Sequence, residues 1–201
     1  MDIAHYLSQR DAQLGEVIPF LELPALETEG DLFYDLVSCI VGQQIHYRRK
    51  VPAFHKLLRH LPEHYPRPDT IAQLSESAFA DLKISANKYA PQQRRSELRG
   101  VSQLATEDWS QWSAAELRAL LSEIKGIGPL TIDMVLMYSL GAADVFPAGD
   151  YHLKQIMTRV YGLQPKSRLK AQMETIAAAW RPYRSWGVRY LWEWKKQGAA
   201  R

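Results

Sequence analysis

One cysteine, Cys39, occurs in 201 residues. That scarcity excludes an internal disulfide, a four-cysteine iron–sulfur cluster and a zinc site built on thiolates. The six histidines do not replace the missing thiolates. His55, His60 and His64 follow one another at intervals of five and four with no acidic partner at a usual ligand spacing, so they read as surface or boundary positions. Long apolar runs are also missing. None approaches the roughly 20 residues that cross a bilayer, and the opening "MDIAHYLSQRDAQ" lacks the basic-then-apolar order of a secretion signal. A cytoplasmic protein with no membrane partner is expected. Strand-like alternation, internal repeats and low-complexity tracts are absent too.

What is present is enough apolar material for a full core, at 46% of residues, in one globular unit or two lobes. The net charge of +3 is unevenly spread: from Leu120 onward there are 12 Lys and Arg against 6 Asp and Glu, whereas residues 1–119 carry 13 against 16. The C-terminal part is the one suited to a polyanion, although a solvated basic face gives the same count.

Apolar residues recur at helical spacing almost throughout, as in Leu32, Leu36, Cys39 and Ile40, or Leu117, Leu120, Leu121 and Ile124. Breaks fall at "LPEHYPRPD" (61–69), "SAN" (85–87) and "YGLQPKSR" (161–168). The pattern predicts an all-α chain with helices near 2–9, 11–22, 30–45, 48–60, 70–73, 76–81, 87–104, 114–123, 129–139, 151–160, 167–179 and 184–196.

Two stretches carry chemistry. In "IKGIGPLT" (124–131), Gly126 suits a strained turn after a helix over 114–123 capped by Ser113, and Ile127 can plug inward. Gly128 lets the backbone approach another molecule, and Pro129 starts the next helix where its missing amide hydrogen costs nothing. Free amides at such a helix–hairpin–helix carry positive partial charge and suit a phosphate. The second stretch, "VFPAGD" (145–150), ends on Asp150 directly before another helical run. An aspartate there is an N-cap by default.

The order of the two, a glycine hairpin and helix followed about twenty residues later by an aspartate at a helix start, resembles the helix-hairpin-helix (HhH-GPD) DNA glycosylase superfamily. Within it, "DVFPAGDYHLKQ" (144–155), "WRPYRSWGVRYLW" (180–192) and "VGQQI" (41–45) look like the DNA-3-methyladenine glycosylase II family, over about residues 30–196. The resemblance implies two helical lobes flanking a DNA-binding cleft in one glycosylase unit over 1–201. An intercalating-loop lobe is expected over 26–110, and a hairpin and catalytic lobe over 1–25 plus 111–201. The extra N-terminal domain of longer members is not expected here.

It also implies roles. Asp150 becomes the catalytic carboxylate, because breaking an N-glycosidic bond develops positive charge on the sugar that an opposed anion stabilises. Asp144, at the loop entrance, and Asp133, on the exposed side of the hairpin helix, are weaker candidates. Trp192, Leu130 and Met134 match base-pocket positions, the last two being aromatic in longer relatives. Bifunctional members carry a Schiff-base lysine where this chain has Leu130, so a monofunctional enzyme that leaves an abasic site is implied. Gln43 and Gln44 match residues that fill the gap left by a flipped base. Lys125, Gly126, Ile127 and Gly128 would contact DNA. The carbonyls of Ser122, Ile124 and Ile127 match those holding a sodium or potassium ion in relatives, and no other cofactor is implied. The expected partner is duplex DNA containing alkylated bases, met by a monomer in the cytoplasm or at the nucleoid. Trp180, Trp186 and Trp194 read as helix packing. The competing reading is a non-catalytic helix-hairpin-helix module that binds DNA structure, with Asp150 only a cap.

Overall fold

Asp2 and Asp11 each begin a helix by accepting a main-chain N–H, from Ala4 and Leu14 respectively. The computed structural model describes residues 2–25, 31–42, 47–81, 90–102, 112–164 and 168–198, and among these there are helices and no strands. In chain order they are α1 (Ile3–Arg10), α2 (Ala12–Val17), α3 (Leu32–Gly42), α4 (Tyr47–Arg59), α5 (Pro68–Ala72) and α6 (Glu76–Asp81). Then follow α7 (Ala90–Ser102), α8 (Ala114–Ser122), α9 (Pro129–Tyr138), α10 (Tyr151–Tyr161), α11 (Leu169–Ala178) and α12 (Arg184–Gly198). The single helix expected over 11–22 stops at Val17 and continues as a 3₁₀ turn, Ile18–Phe20, because Pro19 has no N–H to extend the α-helical ladder. No described helix is long and apolar enough to cross a membrane.

Two compact units result, one formed by Met1–Glu27 with Gly141–Arg201 and the other by Thr28–Leu140. In the first, α12 is packed by α2, α10 and α11 around Leu7, Leu14, Leu153, Met157, Met173 and Leu191. Asp11, though buried, is satisfied: Trp180 Nε1 donates to its Oδ2 at 2.7 Å and the Tyr161 hydroxyl at 2.9 Å. One carboxylate thus ties the N-terminal helices to the C-terminal ones. Gly187 makes room for this, since a Cβ there would lie 2.7 Å from the Trp180 ring.

In the second unit α3 is central, packing on α4, α7 and α9, while α8 pairs with α9. Leu36, Ile40, Leu98, Leu117, Leu121 and Leu136 fill its core. The sequence-based division put residues 111–140 in the other lobe. The structure groups them with 28–110, because α9 is apolar on most sides and buries itself on α3 as well as on α8.

Candidate active site

The hairpin is built from its caps inward. Ser113 and Glu116 form a capping box, with Ser113 N donating to Glu116 Oε2 at 2.8 Å and Glu116 N to Ser113 Oγ at 3.3 Å. The Ser113 hydroxyl, then its amide, hold the Glu116 carboxyl below its ordinary pKa. After α8 the Ile127 amide donates to the Ile124 carbonyl at 3.1 Å, and both isoleucines are buried. Between them Gly126 has φ +99°, a backbone that L side chains rarely adopt. A Cβ on it would also sit 2.5 Å from Glu97 Cγ, and Glu97 is fully buried in α7. Gly128 differs: a Cβ there would meet nothing within 4 Å. The fold therefore leaves room for a side chain at this position. Pro129 opens α9 as expected, and Lys125 is exposed beside the turn.

Asp133 differs from the expectation. It is not on an exposed side: only 12% of its side chain is accessible, and Arg118 Nη2 donates to its Oδ1 at 2.6 Å. The ion pair fastens α9 to α8, where a bare buried carboxylate would be costly. Leu130 and Met134, four residues apart on α9, lie on its half-exposed stripe, flanked by the buried Thr131, Ile132 and Val135. They belong to the second unit. Gln43 and Gln44 lie outside the described residues.

Asp150 and Trp192 lie in the first unit, and the structure brings them together. Asp150 caps α10, accepting the Leu153 amide on Oδ1 at 2.6 Å, and the Trp192 indole Nε1 donates to the same oxygen at 3.3 Å. The carboxylate is half-buried, and no described residue donates to its Oδ2. Upstream, the Asp150 amide donates to the Pro147 carbonyl and the Ala148 amide to that of Phe146, both at 2.9 Å. These turns wind the loop tightly into the helix start. An oriented carboxylate with one open oxygen can stabilise a cation or orient a water.

Around the loop, the contacts of Arg184, Ser185 and Lys195 were not visible from sequence. Asp144 is gripped by Arg184 and, at 3.4 Å, by Arg181, so its carboxylate is held in ion pairs. Ser185 is buried against residues 142–145. Lys195 Nζ reaches His152 Nδ1 at 3.0 Å and Gln155 Oε1 at 3.2 Å, on the turn following Asp150. Trp180 is fully buried, in line with its reading as a packing group, while Trp186 and Trp194 are half-buried with the Arg189 and Arg159 guanidinium groups over their rings. No group of three or more His, Cys, Asp or Glu suited to a metal occurs among the described residues.

Residues 37–183 match the family described as HhH-GPD superfamily base excision DNA repair protein. The Bacillus subtilis DNA-3-methyladenine glycosylase is 26% identical over 90% of this chain and 65% of its own length. YfjP of the same organism, assigned to the DNA-3-methyladenine glycosylases, is 28% identical over 78% of this chain and 56% of its own. The chain therefore spans between about half and two thirds of these relatives. Among solved structures, Schizosaccharomyces pombe 3-methyladenine DNA glycosylase (Mag1), crystallised with abasic DNA, superposes with a TM-score of 0.84 at 23% identity, covering 98% of this chain and 97% of that one.

Proposed function

The chain belongs to the HhH-GPD superfamily of base excision DNA repair proteins, and we propose that within it this protein is a monofunctional DNA glycosylase for alkylated purines of the 3-methyladenine type. The observation that carries this reading is Asp150, held at the start of α10 by the Leu153 amide and the Trp192 indole, with no described residue donating to its second oxygen. The match to named 3-methyladenine glycosylases supports it.

Alkylation at a ring nitrogen makes a purine cationic and a good leaving group. The target nucleotide leaves the stack, with Gln43 or Gln44 filling the gap. The bond from sugar C1′ to the base nitrogen breaks with its electron pair going to the base, and positive charge spreads over C1′ and the ring oxygen. The Asp150 carboxylate stabilises that charge and orients water towards C1′. The water's proton passes to the carboxylate or to solvent, leaving an abasic site and free base. Trp192 supplies a π face for the cationic ring. Leu130 offers no amine, so the sugar is not captured as a Schiff base.

The Gly126–Gly128 hairpin, with Lys125 beside it, holds a backbone phosphate through amides and the α9 N-terminus. The carbonyls of Ser122, Ile124 and Ile127 would be the oxygen donors for a sodium or potassium ion, the Ile124 oxygen also accepting the Ile127 amide. A bound monovalent cation would add positive charge beside that phosphate. The protein acts as a monomer in the cytoplasm or at the nucleoid.

The test is release of free base, measured by chromatography, from alkylated duplex DNA incubated with wild type and Asp150→Asn. Wild type should release base and the variant at least about 10²-fold less. No release by wild type would leave a DNA-structure-binding module as the better reading.

A further inference from the structure

Helix α12 meets the loop carrying Asp150 at two places. At its third turn Trp192 donates to Asp150 itself. At its first turn, about 12 Å away along the axis, Arg184 and Ser185 grip the loop's entrance. Arg184 Nε donates to Asp144 Oδ1 at 2.5 Å, while its Nη2 donates to Oδ2 at 3.1 Å and to the Asp144 carbonyl at 2.8 Å. The guanidinium fork therefore fixes both the carboxylate and the main chain of one residue. Beside it Ser185 Oγ accepts the Val145 amide at 2.9 Å and donates to the Ala142 carbonyl at 2.6 Å, and the Ser185 amide donates to the Ala143 carbonyl at 2.9 Å. Between the two attachments the loop is packed: Phe146 sets its ring against Trp180, and Pro147 and Ala148 are buried.

We propose that Arg184 is a positioning residue for Asp150, holding the 144–150 loop on α12 so that the carboxylate stays in register with the reacting sugar. The proposal rests on the glycosylase reading. Arg184 touches neither Asp150 nor, in this role, the substrate; it acts through Asp144. Positioning matters because a displacement of about 1 Å at the reacting atoms can cost about 10²-fold in rate. Ser185 shares the task, but its burial makes it a poorer probe, since its loss would disturb packing as well. Arg181 reaches Asp144 only at 3.4 Å and is largely exposed, so it cannot replace the fork.

The experiment compares wild type, Arg184→Ala, Arg184→Lys and Asp144→Asn. Single-turnover excision is followed on duplex DNA carrying one N7-methylguanine, affinity on a duplex with a stable abasic analogue, and folding by circular dichroism. Arg184→Ala should remain folded and bind the duplex within about twofold of wild type, while its excision rate falls about 10- to 100-fold. Guanidinium ion at about 20 mM should restore part of that rate by entering the vacated site. Arg184→Lys keeps the charge without the fork and should stay slow. An unchanged rate in folded Arg184→Ala overturns the proposal, as does a rate that falls only in step with affinity or folding. If Arg184→Ala does not fold, Asp144→Asn decides: a full rate overturns the proposal and a reduced rate with intact affinity supports it. Wild type that releases no base overturns the glycosylase reading itself, an outcome distinct from active wild type beside an equally active variant.

Discussion

Trp192 and Asp150 share a hydrogen bond whose acceptor, Oδ1, also receives the Leu153 amide at 2.6 Å. Under the proposed glycosylase reading the tryptophan would serve in two separable ways, its indole N–H orienting the carboxylate and its ring giving a π face to the base. Trp192→Phe keeps a ring and removes the donor. Its excision rate should fall about 10- to 15-fold, near the low end for a bond to a charged group because the 3.3 Å contact is long. Trp192→Ala removes both functions, and its extra loss should be larger on cationic than on neutral bases, by about 0.5–2 kcal/mol. Equal extra losses on single-turnover assays with both base types would mean that the ring shapes the pocket without reading charge.

The two hairpin glycines should fail in different ways. Gly126→Ala forces a side chain into a φ of +99° and against Glu97, so the melting temperature should drop, with at least about 1–2 kcal/mol lost from the backbone alone. Gly128→Asp points into open space and should melt like wild type, yet bind duplex DNA more weakly by bringing a negative charge to the phosphate. Unchanged affinity in the folded Gly128→Asp protein would remove the hairpin from the DNA interface.

Tyr161 gives a stability handle at alkaline pH. Burial, reinforced by the negative charge of Asp11 and the hydrogen bond to it, raises its pKa above the ordinary phenol value. The folded state holds the neutral phenol, so its contribution is complete below the unfolded value of about 10 and is lost as pH rises beyond it. Tyr161→Phe should cost about 1–3 kcal/mol at pH 8, where Asp11 loses a donor. It should also show a shallower alkaline decline in urea midpoint. The same alkaline slope in both proteins would assign that decline to other groups.

With leucine at position 130, borohydride should trap no covalent enzyme–DNA adduct. The product strand should break only on later heat or alkali, as seen on a denaturing gel. A trapped adduct would point to another amine, with Lys125 the first to replace.

The features legible in the sequence are those whose causes lie within one helical turn. Gly126, Gly128 and Pro129 announce a hairpin because positive φ and a missing amide are local matters, and Asp150 announces a helix start because its partner is Leu153. Helical periodicity alone specified the all-α class and most helix positions. Side chains that meet across the fold had no such signal. Asp133 looked exposed in a helix by itself, and only the docking of α8 on α9 supplied Arg118. Trp180 and Asp11 are 169 residues apart, Ser185 and Val145 forty, and Trp192 and Asp150 forty-two. Placing α12 against the loop was decided by tertiary packing, since burying Trp180, Val188 and Leu191 sets which face of that helix meets residues 142–150. The sequence by itself determined which carboxylate begins α10; the tertiary structure decided what holds it, because a hydrogen bond between distant residues exists only once the core has aligned their helices.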